Sequence, residues 1–176
     1  MSLTFGKAFR ALFIALLVVQ LSITAAAAGE NAPMLLASAA DAASGKLAPD
    51  FELKDLDGNV LRLSQFNGKK SVLLYFWATW CPHCVASRPD IAALREKVPE
   101  SELQILGINV GAGDSLQKVQ RFQKGHPTSW PILYDADEKV TQSFSVQGIP
   151  LYVLVNKKGE IVYRSHELPD LRKLLP

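Results

Sequence analysis

From residue 46 onward, apolar and polar positions fall into short blocks that read as strands and helices. Lys46-Leu47-Ala48-Pro49-Asp50-Phe51-Glu52-Leu53 leads into a short strand. Asp57-Gly58-Asn59 is a turn signal, and Val60-Leu61-Arg62-Leu63 alternates after it, so the two segments predict a hairpin. Ser64 is placed to cap one short turn through Phe66, which Asn67-Gly68 ends. Residues 71–77 contain the unbroken apolar run Val72-Leu73-Leu74-Tyr75-Phe76-Trp77, the pattern of a strand covered on both faces. Residues 85 to about 98 read as a helix with Val85, Ile91, Leu94 and Val98 inward and a kink at Pro89. The next strand spans 103–110 and is broken by Gly111-Ala112-Gly113. Asp114 has the chemistry of an N-cap for a helix over 115–124, with Leu116, Val119 and Phe122 inward. A short strand at 130–134 and a short helix near 137–144 follow. A second hairpin joins 151–155 to 160–164, and residues 170–175 form a last short helix. The order β-β-β-α-β-α-β-α-β-β-α mixes crossover units with hairpins, which predicts an α/β sandwich around a mixed sheet.

The N-terminus follows a different pattern. Lys7 and Arg10 precede an apolar stretch over 11–23, and Ala26-Ala27-Ala28 fits a cleavage site before Gly29. Residues 1–28 therefore read as a secretory signal peptide. The alternative is a retained membrane anchor, because the uncharged run over 11–28 is 18 residues long. Residues 29–46 are rich in Ala and Ser with little periodicity and read as a flexible linker. Residues 47–176 remain, about 130 in all, enough for one domain with its own core. Of the 19 Lys+Arg residues only Lys7 and Arg10 lie in the leader, so the remainder balances the 17 Asp+Glu. No basic stripe points to nucleic acid, and there is no internal repeat.

The chemistry concentrates in Trp80-Cys81-Pro82-His83-Cys84, which holds both cysteines of the chain. The pair sits where the apolar strand hands over to a helix, with Cys81 at the helix N-terminus. There the helix dipole and free backbone N–H groups favour a thiolate over a thiol. A purely structural disulfide between residues i and i+3 closes so small a loop that it removes little entropy from the unfolded chain. Redox exchange is the better use of this spacing.

Together with Ala48-Pro49-Asp50-Phe51, Asp57-Gly58, Phe76-Trp77-Ala78-Thr79-Trp80, Pro89 and Gly148-Ile149-Pro150, the cysteine motif resembles the TlpA/ResA-like group of exported thioredoxin-fold thiol–disulfide oxidoreductases. The resemblance covers roughly residues 46–176. It implies a thioredoxin-like sandwich, with a mixed central β-sheet flanked by helices and an extra N-terminal β-hairpin. It further implies that Cys81 is an exposed nucleophile and Cys84 a buried resolving thiol. Ile149 and a cis Pro150 would form the opposite wall, with Ile149 backbone groups pairing with a substrate peptide, and Trp80 would be a lid beside the sulfurs. X-Pro bonds pay little for cis, so that geometry is accessible.

Two positions depart from the pattern. Relatives often carry a glutamate three residues after the second cysteine, where this chain has Ser87. Thioredoxins proper carry a buried aspartate six residues before the first cysteine, where this chain has Tyr75. Asp90 lies on the opposite helical face from Cys81. Proton handling at Cys84 is left to water or to His83.

Pro82-His83 is the dipeptide found in Dsb-type periplasmic oxidases. A cation or hydrogen-bond donor at His83 would stabilise the Cys81 thiolate and make the disulfide more oxidising. The scaffold points toward reductases and the dipeptide toward oxidation, so the direction of electron flow stays open. The resemblance implies no dissociable cofactor and no metal. The expected partners are substrate proteins with cysteines or disulfides and a membrane redox partner for recycling. The expected state is a periplasmic monomer, with anchoring to the inner membrane by its N-terminus as the variant.

Two rival classes differ in chemistry. A Cu(I)-binding or copper-delivery module could use the Cys81 and Cys84 thiolates, but His83, His126 and His166 are scattered along the chain. A peroxiredoxin-like peroxidase would share Ala48-Pro49-Asp50-Phe51 and Tyr134-Asp135-Ala136-Asp137. It would want one low-pKa cysteine in a Thr-x-x-Cys loop, whereas Thr79 lies two residues before Cys81. Trp77, Trp130 and the Phe residues at 51, 66, 76, 122 and 144 read as core, and Asp55, Asp57, Asp135 and Asp137 as turn and cap residues.

Overall fold

The structure, a computed structural model, describes residues 45–173. The strands are β1 (Glu52–Lys54), β2 (Val60–Arg62), β3 (Ser71–Trp77), β4 (Leu103–Asn109), β5 (Ile132–Tyr134), β6 (Leu151–Val155) and β7 (Ile161–Ser165). The helices are α1 (Pro82–Lys97), α2 (Leu116–Gly125) and α3 (Lys139–Ser143), with 3-10 turns at Leu63–Phe66 and Leu171–Lys173. Five strands form one sheet in the order β5-β4-β3-β6-β7. β4 runs parallel to both β3 and β5, whereas β6 runs antiparallel to both β3 and β7. β1 and β2 form a separate antiparallel hairpin that reaches the β5 edge through the Asp55–Leu133 bridge. The expected mixed sheet, flanking helices and extra hairpin are all present.

Every residue of β3, β4 and β6 is buried. A central strand covered on both faces must bury both sets of alternating side chains, which accounts for the unbroken apolar run in β3. The register also places the site. β3 and β4 are parallel, and Phe76 near the end of β3 faces Leu151 at the start of β6. The loop after β3, the loop after β4 and the 149–150 peptide therefore meet at one end of the sheet.

Several local expectations are corrected. α1 begins at Pro82, not Val85, with Cys81 as its N-cap and Pro82 at the first helical position, where a missing N–H costs nothing. α1 then runs on through Pro89 to Lys97. Its inward stripe also includes Cys84 and Arg88, both buried, while Val85, Leu94 and Val98 are only partly covered. Ser64 does not cap its turn. Arg62 takes that position, and the Ser64 hydroxyl donates to Asp50 Oδ2 at 2.8 Å. Ser115, not Asp114, caps α2, accepting from the Lys118 N–H at 3.3 Å. Leu116 is exposed rather than inward.

Gly45 and Lys46, at the end of the segment read as linker, exchange backbone hydrogen bonds with Ile161, both 2.8 Å. The leader and the rest of the linker lie outside the described residues, as do the last two positions, 174 and 175, of the expected C-terminal helix. Among the described residues no helix is long and apolar enough to cross a membrane.

Candidate active site

Cys81 and Cys84 form a disulfide with Cα atoms 5.3 Å apart. Cys81 has extended N-cap geometry, and its sulfur accepts the Cys84 backbone N–H at 3.2 Å. This is the contact expected where a sulfur occupies the anion-favouring end of a helix. Sequence resemblance implied an exposed Cys81, but in the disulfide it is only 5% exposed and Cys84 is 0%. The Ile149 carbonyl oxygen lies 3.8 Å from the Cys81 sulfur. The Ile149–Pro150 peptide is cis, as the resemblance implied. Pro82 and His83 are exposed on the first turn of α1.

Trp80 is 51% exposed, yet its indole is fixed. Nε1–H donates to the Ala112 carbonyl at 2.8 Å. Gly113, at φ +70°, lies so close that an added Cβ would stand 2.9 Å from that nitrogen. The ring thus lies along the loop after β4.

The cis-proline loop has its own supports. His166 Nδ1 donates to the Pro150 carbonyl at 2.7 Å, which fixes its proton on that nitrogen because a carbonyl only accepts. Arg164 Nη2 donates to the Ser145 carbonyl at 3.0 Å. His126 is the C-cap of α2, with its ring stacked on Phe122 at 4.3 Å.

The two positions that lack the familiar acids turn out to be neighbours. Tyr75 and Ser87 both donate their hydroxyls to the Cys84 carbonyl, at 2.6 and 2.9 Å. Tyr75 also stacks between Tyr152 (5.4 Å) and Trp77 (6.4 Å). Burial pushes the Tyr75 hydroxyl well above the ordinary phenol range and the Tyr152 hydroxyl upward as well, with Ser87 opposing in both cases, so both stay protonated. Neutral hydroxyls therefore stand beneath Cys84 at the two positions where the family pattern has acids. The family resemblance marks positions 75 and 87 as lacking acids but does not show that these side chains converge.

Two charged residues near the motif were also missed. Arg88, one turn after Cys84, is 7% exposed. Its Nη2 donates to Gln123 Oε1 at 2.9 Å and to the His126 carbonyl at 2.5 Å. Its guanidinium lies over the Trp77 and Phe122 rings, 5.1 and 5.3 Å from their centroids. Burial lowers its pKa, with the neighbouring Tyr75 opposing. Asp114 has a completely buried side chain. Its carboxylate accepts the Thr79 N–H (2.8 Å), the Thr79 hydroxyl (2.5 Å) and Asn109 Nδ2 (2.7 Å), and pairs with Lys118 Nζ (2.8 Å). Burial acts to raise its pKa, but the bonds from Asn109, Lys118 and Thr79 outweigh this and hold the carboxyl below its ordinary value.

The Redoxin family profile matches residues 43–172. The chain is 35% identical over 119 residues to the thiol-disulfide oxidoreductase ResA of Geobacillus kaustophilus, covering 68% of this chain and 67% of that protein. It is 33% identical to ResA of Bacillus subtilis, covering 67% of this chain and 64% of that protein, so the match spans about two-thirds of these relatives' length. A putative thioredoxin from Neisseria meningitidis superposes with a TM-score of 0.63 at 34% identity, covering 74% of this chain and 85% of the other. A putative thiol:disulfide interchange protein DsbE from Chlorobium tepidum superposes with a TM-score of 0.65 at 26% identity, covering 74% and 89%.

Proposed function

This chain belongs to the Redoxin family and is a thiol–disulfide oxidoreductase of thioredoxin-like fold, and from that premise we propose that Cys81 is its attacking thiol and Cys84 its resolving thiol. The observation that carries the assignment is the place of Cys81. Its sulfur sits on the N-cap of α1, receives the Cys84 N–H at 3.2 Å and faces the Ile149 carbonyl at 3.8 Å. Of the two sulfurs, this is the one that a helix N-terminus can hold as a thiolate. Cys84 is wholly enclosed and acts from behind.

In the reducing direction the Cys81 thiolate attacks one sulfur of a substrate disulfide and expels the other as a thiolate. The Cys84 sulfur, having lost its proton, then attacks Cys81 and releases the second substrate thiolate. The enzyme ends as the Cys81–Cys84 disulfide, having passed two electrons to the substrate. The oxidising direction is the same sequence reversed. Ile149 backbone groups pair with the substrate peptide beside the cis Pro150, and Trp80 flanks the entry.

The leader motif supports export to the periplasm, with the linker before Gly45 as a tether and envelope proteins as substrates. Recycling then falls to a membrane redox partner. Pro82-His83 at the first turn of α1 supports a potential above that of thioredoxin. Equilibration with glutathione should therefore give a value less negative than about −270 mV, and a value at or below it would overturn the oxidising assignment.

The roles of the two sulfurs are tested by trapping. Cys84→Ser should accumulate mixed disulfides with exported proteins, whereas Cys81→Ser should trap none. Equal trapping by both variants, or trapping by Cys81→Ser alone, would reverse the assignment.

A further inference from the structure

The motif's immediate neighbour is a buried, compensated charge. Thr79 stands two residues before Cys81, so their Cα atoms are at most about 7.6 Å apart. Both donors of Thr79, its N–H and its hydroxyl, are spent on Asp114, at 2.8 and 2.5 Å. Asn109, at the end of β4, adds a third bond at 2.7 Å and turns its own Oδ1 to the Gly111 N–H at 3.1 Å. The same loop takes the Trp80 indole on the Ala112 carbonyl. One carboxylate thus ties the end of β4, the loop after it and the approach to Cys81 into a single unit.

Both carboxylate oxygens accept here, Oδ1 from the Thr79 hydroxyl and Lys118 and Oδ2 from the Thr79 N–H and Asn109, and a buried anion at this place has an electrostatic consequence as well. Left alone, it would oppose a thiolate at Cys81. Lys118, half-exposed on α2, answers it with an ion pair at 2.8 Å and anchors further on the Gly113 carbonyl at 3.0 Å. Other ionisable groups around this end include His83 on α1, Tyr75 beneath Cys84, and Tyr134, whose hydroxyl donates to the Asp114 carbonyl at 3.4 Å.

We propose that Asp114 is a positioning residue for the redox loop and that the Asp114–Lys118 pair sets the charge under which Cys81 ionises, and so the redox poise of the disulfide. The inference rests on Cys81 being the attacking thiol. The pair acts as a balance with two arms. Removing the cation exposes the carboxylate, raises the Cys81 thiol pKa and shifts the equilibrium toward the disulfide. Neutralising the carboxylate leaves the cation, lowers the thiol pKa and shifts the equilibrium toward the dithiol.

The test measures the equilibrium constant with glutathione and the Cys81 thiol pKa in Lys118→Met, Asp114→Asn and the double variant, with the urea midpoint of each recorded alongside. Lys118→Met should move the constant toward the disulfide, and Asp114→Asn should move it toward the dithiol, each by about three- to tenfold. The double variant should return close to the parent, and Lys118→Arg should stay there. Shifts of the two single variants in the same direction, or no shift in either, would overturn the proposal and leave Asp114 a structural residue. Should Asp114→Asn fail to fold, Lys118→Met carries the test alone by the sign of its shift. A parent protein that exchanges disulfides without using Cys81, shown by an active Cys81→Ser control, would instead defeat the assignment of the attacking thiol.

Discussion

Gly111→Ala should destabilise the domain by about 3 kcal/mol or more, read as a fall in the urea midpoint. Two costs combine. Gly111 has φ +78°, a conformation that costs an L-residue roughly 1–2 kcal/mol. An added Cβ would also stand 2.3 Å from the Asp135 carbonyl oxygen and 3.3 Å from its carbon. Those are backbone atoms, so no side-chain rotation relieves the overlap, and the loop after β4 must move. Asp135 cannot yield easily. It is fully buried, its N–H donates to the Asn109 carbonyl at 3.0 Å, and its carboxylate accepts from the Thr141 N–H and hydroxyl at 2.7 Å each. A second readout follows because the displaced loop carries the Trp80 anchor. Trp77 and Trp130 are buried, so acrylamide quenching reports mainly on Trp80 and should increase in the variant. Gly125→Ala is the control. A Cβ there meets nothing within 4 Å and φ is not positive, so stability should change by less than about 1 kcal/mol. A Gly111→Ala variant as stable as Gly125→Ala would show that the loop yields freely and does not brace the redox motif.

What could be read from the sequence divides along physical lines. β3 was legible because burial on both faces leaves a run without polar interruption, and the cysteine pair because i, i+3 spacing at a strand–helix junction admits few other uses. The second hairpin was legible because local composition decides it, whereas the Gly148-Ile149-Pro150 loop was legible through the family resemblance. The misses all depend on which distant segment lies opposite. Arg88 falls on the inward face of α1 by helical period, four residues after Cys84, yet arginine is rarely enclosed and nothing local announces that Gln123 and the His126 carbonyl wait across the gap. Asp114 and Ser115 are adjacent residues with equal capping chemistry. The choice between them was made by Thr79, thirty-five positions upstream, which draws Asp114 inward and leaves Ser115 to the helix. Tyr75 and Ser87 were recognised only as the absence of acids. Their joint bond to the Cys84 carbonyl needs the packing of α1 on β3. Tertiary partners decide polar burial, and sequence patterns are nearly silent about it.

Arg88→Ala should cost about 2–4 kcal/mol of stability, while Arg88→Met should cost roughly 1 kcal/mol. The guanidinium is an unusual tenant. It is buried, its hydrogen-bond acceptors are neutral, and among the described residues its Nη1 has no hydrogen-bond partner. Burying a cation without a carboxylate is expensive, so the charge itself adds little to stability. Three features offset that expense. The His126 carbonyl closes the C-terminus of α2, where the helix dipole favours a cation. The planar head lies over the electron-rich faces of Trp77 and Phe122. The long stem fills space between α1 and α2. Alanine removes all three and opens a cavity. Methionine refills the space and keeps contact with both rings while it sheds the buried charge, so most of the loss should return. Equal losses for the two variants would mean that the charge, through α2 and the rings, holds the helices together. A negligible loss for alanine would mean that the contact contributes nothing. Because Arg88 sits one turn below Cys84, the alanine variant should also loosen the first turns of α1, measurable as faster amide exchange at Cys84 and Val85. The methionine variant should keep the parent's protection there, since packing against Trp77, rather than charge, secures that end of the helix.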